Sequence, residues 1–242
     1  MIYAEILAGG KGTRMGNTPL PKQFLNLSGK PIIIHTIEKF LLHSEFEKIV
    51  VVLSSDWINY TNDLLKKSFT DQEISRIALV KGGKDRNQTL MNGLNYIVNE
   101  YDLAENDVVV THDAVRPFVS RRIIKENIEY AVKYGAVDTV VPSIDTIVKS
   151  DSDGEYIQSI PNRSVMYQGQ TPQSFNINLL MNACKELSDD NKLILTDAAK
   201  IVVLSGENVK VKLVEGEQQN FKITTSFDFK LAEALIDDGG DY

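Results

Sequence analysis

Apolar and polar positions follow two different periods along the chain, and the order of these periods predicts the fold. Short apolar runs such as Ile49–Leu53 and Val108–Thr111 have the length of strands that are buried on both faces. Between such runs lie longer segments, such as Pro31–Leu42 and Arg121–Tyr134, in which apolar residues recur at helical spacing. Strands that alternate with helices predict an α/β fold with a doubly wound, mostly parallel sheet.

The same pattern predicts the remaining elements. The predicted strands cover Ile2–Leu7, Ile49–Leu53, Ile77–Val80, Val108–Thr111, Ala136–Pro142 and Val209–Val214. The predicted helices cover Pro31–Leu42, Asp56–Phe69, Asn87–Tyr101, Arg121–Tyr134, Asn176–Leu187 and Phe227–Ile236, with another helix after Thr196. The sequence contains no linker, repeat or low-complexity segment, so we expect residues 1–242 to form a single domain.

The alternation of strands and helices stops after Pro142. Two short runs, Thr146–Lys149 and Tyr156–Ile160, flank the turn-rich Ser150–Gly154, which is typical of a β-hairpin. A hairpin with little sequence to pack against is marginal on its own. We therefore interpret residues 143–166 as a β-arm that a second subunit covers. The alternative is an edge hairpin that folds onto its own sheet.

Composition narrows the class of protein. The single cysteine, Cys184, excludes an intrachain disulfide and favours a reducing compartment. Apolar runs are too short to span a membrane, and the N-terminus lacks the pattern of a signal peptide. The net charge is −7, and no basic stripe typical of a nucleic-acid binder is present. We expect a cytoplasmic protein that neither inserts into membranes nor binds nucleic acid.

A glycine-rich stretch follows the first predicted strand and is the clearest candidate for a ligand site. It reads Leu7-Ala8-Gly9-Gly10-Lys11-Gly12-Thr13-Arg14-Met15-Gly16 and runs on to Pro21-Lys22-Gln23. The spacing matches neither a P-loop nor a dinucleotide fingerprint. No Asp or Glu occurs from Ile6 to Ile37 in this acidic chain. Glycines let backbone N–H groups approach an anion, so the stretch predicts a polyphosphate site. A purely structural glycine turn, with Arg14 and Lys22 as solvated cations, is the alternative.

Ligands in doubly wound sheets bind beyond the carboxyl ends of the strands. The loops at residues 9–16, 82–86 and 112–116 all lie at such ends, so we expect them to converge on one site. Asp113 suits Mg²⁺, which takes one or two carboxylates together with substrate phosphates. Its alternative role is a cap or turn residue before Pro117. We interpret His112 as structural, because the chain has only 3 histidines and no zinc-site pattern.

A series of short blocks, in order along essentially the whole chain, resembles the CTP-dependent cytidylyltransferases, the group that includes the methylerythritol-phosphate and ribitol-phosphate enzymes. The blocks are Leu7–Met15, Pro21–Gln23, Gly82-Gly83 with Asp85-Arg86, His112–Pro117, Asp145-Thr146, Thr171–Gln173, Thr196-Asp197 and Lys222–Thr224. The resemblance implies a Rossmann-like nucleotidyltransferase fold that transfers a cytidylyl group from CTP to a polyol phosphate. It also implies Mg²⁺ as cofactor and a homodimer in which the β-arm embraces the partner.

The resemblance further implies roles for single residues. Arg14 and Lys22 would stabilise the transition state at the α-phosphate, and Asp113 would bind the metal. The residues implied in nucleotide binding are Leu7, Ala8, Gly9, Gly10, Lys11, Gly12, Gly83, Asp85, Arg86, Thr89 and Ala114. The residues implied in polyol-phosphate binding are Arg116, Thr146, Arg163, Thr171, Thr196 and Lys222.

The segment Tyr167–Phe175 is similar to the ribitol-phosphate branch of the group. It implies D-ribitol 5-phosphate as the second substrate and a product used for teichoic-acid-type envelope polymers. Methylerythritol phosphate is the alternative substrate. Gln168 and Gln170 are candidate partners for polyol hydroxyls, or else surface glutamines. Two other classes of protein stay open. One is a sugar-nucleotide pyrophosphorylase that uses another base, and the other is a non-catalytic nucleotide-binding regulator.

Overall fold

A seven-stranded sheet organises the computed structural model, which describes residues 1–10, 20–187, 197–206 and 209–237. The strands of the described residues are β1 (Ile2–Ala8), β2 (Asn26–Leu27), β3 (Lys30–Pro31), β4 (Phe46–Leu53), β5 (Ile77–Lys81), β6 (Val108–Asp113), β7 (Ala136–Pro142), β8 (Lys149–Ser150), β9 (Ile157–Ser159), β10 (Tyr167–Asn176) and β11 (Lys212–Glu215). The α-helices are α1 (Ile32–Leu41), α2 (Ile58–Ser68), α3 (Asp71–Ser75), α4 (Arg86–Glu100), α5 (Arg121–Tyr134), α6 (Ile177–Glu186), α7 (Ala198–Leu204) and α8 (Ser226–Asp237). Short 3₁₀ turns cover Lys22–Phe24, Ser55–Trp57 and Arg163–Val165.

The order of strands in the large sheet is β11-β7-β10-β6-β1-β4-β5. All neighbours are parallel except β10, which runs antiparallel to both β6 and β7. Alternate side chains of β1 enter different cores: Ile6 packs in the cluster on one face, and Tyr3 in the cluster on the other. A sheet covered on both faces explains why its strands read as continuous apolar runs. The predicted doubly wound, mostly parallel sheet is confirmed.

Most of the predicted bounds agree with the structure. α5 and β7 have the predicted ends, whereas β4 begins at Phe46 rather than Ile49 and β11 begins at Lys212 rather than Val209. The short helix α3 was not predicted. It is held by a capping box in which the Thr70 side chain and Glu73 bond to each other's backbone N–H groups. None of the described helices is long and apolar enough to cross a membrane.

The sequence analysis missed β10, although this strand lies inside the sheet. Its polar composition and Pro172 argue against a central strand. The structure places Pro172 where the register with β7 shifts, between Gly169 and Gln173. The buried polar side chains of β10 have partners: Ser174 Oγ donates to Asn127 Oδ1 at 2.9 Å. A polar strand can be buried here because its side chains are satisfied by neighbouring elements.

The predicted hairpin is present. β8 and β9 pair in a two-stranded sheet of their own, separate from the large sheet among the described residues. The hairpin therefore does not add strands to the large sheet. Tyr156 is 73% exposed and Ile157 is 64% exposed. An apolar surface of this kind on a small hairpin is typical of a segment with a binding partner.

A third apolar cluster lies beside the carboxyl end of β6. Val115 and Phe118, just after β6, pack against Leu27 and against Ile223 and Ala232 near the end of the chain. The backbone N–H of Ile223 also donates to the Val115 carbonyl at 3.0 Å. This packing brings the segment 221–224 to the strand ends where the sequence predicts a site.

Candidate active site

A cavity of about 770 Å³ lies beyond the carboxyl ends of β1, β4, β5 and β6. A ligand site at this edge of the sheet is what the fold class predicts. The predicted site residues that line it are Leu7, Ala8, Gly9, Gly10, Lys22, Gly83, Asp85, Arg86, Thr89, Asp113, Ala114 and Lys222. The three loops that the sequence analysis expected to converge do so in the parts of them that the structure describes.

The other predicted site residues have different positions. Lys11, Gly12, Arg14 and Thr196 lie outside the described residues, so their roles stay predictions. Thr146 and Arg163 are exposed on the arm segment and do not line the cavity, although Arg163 Nη1 donates to the Ile144 carbonyl at 2.8 Å. Arg116 and Thr171 are buried beneath the cavity and contact Asp113.

Asp113 lies at the centre of a cluster of cations. Its Oδ2 is 2.9 Å from Lys222 Nζ and 3.3 Å from Arg116 Nε, and its Oδ1 is 3.9 Å from Arg86 Nη2. Burial opposes the charged form of the carboxylate, but Lys222, Arg116 and Arg86 outweigh it and hold the pKa of Asp113 well below its ordinary value. Asp113 is therefore ionised at all physiological pH values, and the cluster keeps an excess of positive charge for an anionic ligand.

A buried hydrogen-bond network fixes the backbone at Asp113. The Asp113 N–H donates to Thr171 Oγ1 at 3.1 Å, and this hydroxyl is 3.0 Å from His112 Nδ1. His112 Nε2 is 3.0 Å from the Arg116 carbonyl. Burial lowers the pKa of His112 to about 4, so its ring is neutral. The partners assign Nε2 as the donor to the carbonyl and Nδ1 as the acceptor from Thr171. His112 is structural, as the sequence analysis interpreted it.

Lys22 reaches the cavity from the short turn after the glycine-rich stretch. It is buried, and its Nζ donates to the Ile223 carbonyl at 3.1 Å. Its neighbour Gln23 donates from Nε2 to the carbonyls of Ala8 at 2.8 Å and of Gly10 at 3.3 Å. These bonds tie the turn to the end of β1, and the Lys22 bond joins it to the segment that carries Lys222.

The loop after β5 and the start of α4 form another part of the cavity wall. Asp85 caps the helix by accepting from the Gln88 N–H at 2.8 Å, and Thr89 Oγ1 accepts from the Gly83 N–H at 3.1 Å. A Cβ on Gly9 would lie 3.0 Å from Thr89 Oγ1, and one on Gly83 would lie 2.3 Å from Gln88 Cγ. A side chain at Gly83 would clash with Gln88, including its backbone, whereas at Gly9 it would press closely on Thr89 across the cavity wall.

Gln170 does not have the role that the sequence analysis considered for it. It is buried, its Nε2 donates to the Glu217 carbonyl at 2.8 Å, and its Oε1 accepts from Asn220 Nδ2 at 3.1 Å. Both ends of its amide are therefore occupied within the protein, and it cannot serve as a partner for polyol hydroxyls. The backbone carbonyl of Asn220 in turn accepts a hydrogen bond from Arg116 Nη1 at 2.8 Å. Gln170 anchors the segment that carries Lys222, whereas Gln168 is exposed.

The sequence analysis missed one part of the cavity wall. Ser54, Asp56 and Trp57 line it and lie directly beyond the carboxyl end of β4. The strand-end rule applied to the loops after β1, β5 and β6 would also have identified this segment. The sequence analysis assigned this segment to the start of a helix, because it contains no glycine or cation that would indicate a ligand site.

The chain is similar over almost its whole length to known cytidylyltransferases. The family model IspD, described as 2-C-methyl-D-erythritol 4-phosphate cytidylyltransferase, matches residues 2–238. The ribitol-5-phosphate cytidylyltransferase of Lactiplantibacillus plantarum is 56% identical over 237 residues, which cover 98% of this chain and 99% of that relative.

Solved structures agree with the fold. The 4-diphosphocytidyl-2C-methyl-D-erythritol synthase from Anaerococcus prevotii superposes with a TM-score of 0.80 at 30% identity, covering 98% of this chain and 96% of that one. The 2-C-methyl-D-erythritol 4-phosphate cytidylyltransferase from Thermus thermophilus superposes with a TM-score of 0.71 at 27% identity, covering 97% of this chain and 98% of that one. The sheet described above is thus that of a nucleotidyltransferase-type α/β fold.

Proposed function

Because this chain belongs to the 2-C-methyl-D-erythritol 4-phosphate cytidylyltransferase family, we propose that it transfers the cytidylyl group of CTP to D-ribitol 5-phosphate. Membership of this family confirms the resemblance that the sequence blocks indicated. It also confirms that the protein belongs to the CTP-dependent nucleotidyltransferases. It disfavours the non-catalytic regulator and the pyrophosphorylase for another base. The choice of ribitol 5-phosphate rests on one observation, the 56% identity to a ribitol-5-phosphate cytidylyltransferase. The two methylerythritol-phosphate enzymes whose structures were compared above are 30% and 27% identical.

The chemistry requires few protein groups. A phosphate oxygen of the polyol phosphate attacks the α-phosphorus of CTP, a new P–O bond forms, and the bond to the β-phosphate breaks. Pyrophosphate leaves with the bonding electron pair, and the attacking phosphate needs no base because it is already anionic. Catalysis then consists of positioning and of offsetting negative charge at the α-phosphate. Lys222, together with Lys22, which donates to the carbonyl of the neighbouring Ile223, supplies cations to the cavity.

Asp113 fits a metal that is held mainly by the substrate. Its carboxylate is ionised and it lines the cavity, and within the described parts of the chain the ion pair recorded for its Oδ1 is the longer one with Arg86 at 3.9 Å. No group of three or more His, Cys, Asp or Glu that could form a metal cage occurs in the described part of the chain. Mg²⁺ accepts one carboxylate when substrate phosphates complete its coordination. We include Mg²⁺ bound by Asp113 in the proposal, where it would neutralise charge on the triphosphate.

The proposal also includes a homodimer. Within one chain, Thr146 and Arg163 lie on the arm outside the cavity, so they reach a polyol phosphate only if the arm extends over a partner. The exposed apolar side chains of the arm support this arrangement. The product, CDP-ribitol, would be used to synthesise teichoic-acid-type envelope polymers. We also propose a cytoplasmic location, because a single cysteine fits a reducing compartment.

A substrate panel tests the proposal. Purified protein with CTP and Mg²⁺ is given either D-ribitol 5-phosphate or 2-C-methyl-D-erythritol 4-phosphate, and pyrophosphate release is followed. We expect kcat/KM to favour ribitol 5-phosphate by at least about a hundredfold, because a site built for hydroxyls rejects analogues that leave its polar groups unpaired. UTP and GTP in place of CTP are the controls for the base. Preference for methylerythritol phosphate, or for another nucleotide, would contradict the proposal.

A further inference from the structure

The segments that line the cavity differ in chemical character. Lys222 and Arg86 contact Asp113, and Lys22, which donates to the Ile223 carbonyl, lines the same cavity. The loop after β4 contributes a hydroxyl from Ser54, a carboxylate from Asp56 and the indole of Trp57. Phosphates bind where cations are gathered, and the Asp56 carboxylate repels them. A nucleoside triphosphate in this cavity is therefore oriented with its nucleoside toward the loop after β4.

Trp57 is held in place from behind. Its ring centroid is 5.0 Å from that of Phe24 and 5.6 Å from that of Tyr60. Its backbone N–H donates to the Ser54 carbonyl at 3.0 Å, and its carbonyl accepts from Thr61 Oγ1 at 2.8 Å. The side chain is only half-buried by these contacts, and it lines the cavity. A large aromatic ring fixed on one side and open to a pocket on the other is preorganised to contact a flat ligand.

We propose that Trp57 is a nucleotide-contacting residue whose indole packs against the nucleoside of bound CTP. This inference rests on the proposed function and adds a specific contact to it. Phe24 gives the contact a link to the chemistry, because Phe24 belongs to the same 3₁₀ turn as Lys22. The proposed nucleoside contact at Trp57 thus lies beside the turn that carries Lys22.

Fluorescence provides a direct test, because Trp57 is the only tryptophan of the chain. Addition of CTP to the wild-type protein should change the intrinsic tryptophan emission in a saturable manner, and cytidine at higher concentration should change it in the same direction. Inorganic tripolyphosphate, which carries phosphates without a nucleoside, should leave the emission unchanged. An emission insensitive to CTP and cytidine, or one that responds equally to tripolyphosphate, would overturn the proposal.

Matched variants provide the second test. Trp57→Leu should raise the KM for CTP roughly tenfold, the scale of one lost stacking contact with a base, while Trp57→Phe should stay within about threefold of wild type. Tyr130→Leu is the control, because Tyr130 packs on Tyr134 at 5.7 Å, on α5, and neither contacts Trp57 nor lines the cavity among the described residues. We expect it to lower thermal stability, as the loss of a packed ring does, and to leave the KM for CTP within about twofold of wild type.

The outcomes separate this proposal from the proposed function. If wild type turns over CTP but Trp57→Leu and Tyr130→Leu have the same KM for CTP, the nucleoside contact is wrong and Trp57 only supports Phe24. If wild type does not turn over CTP with any polyol phosphate, the proposed function is wrong. The fluorescence titration still decides whether a nucleoside binds at Trp57 in that case, since it requires no turnover.

Discussion

Lys222 Nζ lies 2.9 Å from Asp113 Oδ2, so one ion pair joins the end of β6 to the segment that leads into α8. Arg116 reinforces the same link, since it contacts Asp113 and also donates to the Asn220 carbonyl at 2.8 Å. The Asp113 carboxylate thereby places two cations, Lys222 and Arg86, at the edge of the cavity. The Asp113 carboxylate therefore holds the cationic site together, and the proposed magnesium site adds a second role for the same group.

Asp113→Asn should abolish most of the activity at ordinary Mg²⁺ concentrations. The amide keeps the size of the side chain but removes the charge that a hard cation requires and that balances Lys222. Steady-state pyrophosphate release, measured over a Mg²⁺ titration, checks this result. Wild-type activity that persists in excess EDTA would contradict the magnesium site.

Lys22→Ala should lower kcat by roughly two orders of magnitude, the scale of losing one charge stabiliser in a site that excludes water. Arg14→Ala is expected to have an effect of the same size. The matched control is Lys30→Ala, because Lys30 belongs to the same acid-free stretch but pairs with Glu38 at 2.6 Å and does not line the cavity. Circular dichroism should show unchanged folding in all three variants. Near-normal turnover of Lys22→Ala would remove Lys22 from the mechanism.

Deletion of Lys149–Tyr156 should convert a dimer into monomers and raise the KM for the polyol phosphate more than the KM for CTP. The reason is that the arm carries Thr146 and Arg163 on its base, away from the cavity of its own chain. Light scattering at micromolar concentration measures the assembly. Val132→Asp, at a position that is 57% exposed on α5, is the control for a surface change elsewhere. A wild-type monomer would show that the arm interpretation is wrong.

Asp138→Asn should stabilise the protein at neutral pH and change little in mild acid. Burial, followed by the charge of Asp197, raises the pKa of Asp138 to about 6, while Gln173 lowers it in part. The native state therefore binds more protons than the unfolded state between about pH 4 and about pH 6, and the free energy of unfolding falls as pH rises through this window. Above this window, the raised pKa of Asp138 lowers the free energy of unfolding by about 2–3 kcal/mol.

Urea unfolding at about pH 4.5 and about pH 7.5 checks the Asp138 prediction. Asparagine keeps an acceptor for the Gln173 Nε2 donor, which bonds Asp138 Oδ1 at 2.8 Å, so the local geometry is retained. The stability difference between variant and wild type should be larger at the higher pH. An equal difference at both values would show that Asp138 is not the titrating group.

Local pattern was enough to predict much of this protein. The apolar runs of β4 and β6 and the helical spacing of α5 are properties of neighbouring residues, so the alternation of strands and helices was readable without the structure. The strand-end rule then located the loops around Gly9, Gly83 and Asp113, and the cavity confirms that they meet.

Contacts between distant residues decided the rest. β10 is a central strand because Asn127, Asp138 and Thr139 satisfy its polar groups, which no local pattern in β10 reveals. Gln170 is an anchor rather than a ligand residue because Asn220 lies against it. Trp57 belongs to the site because Phe24 and Tyr60 hold it at the cavity. A sequence specifies which groups are available, but burial and pairing across the fold determine which of them remain free to meet a substrate.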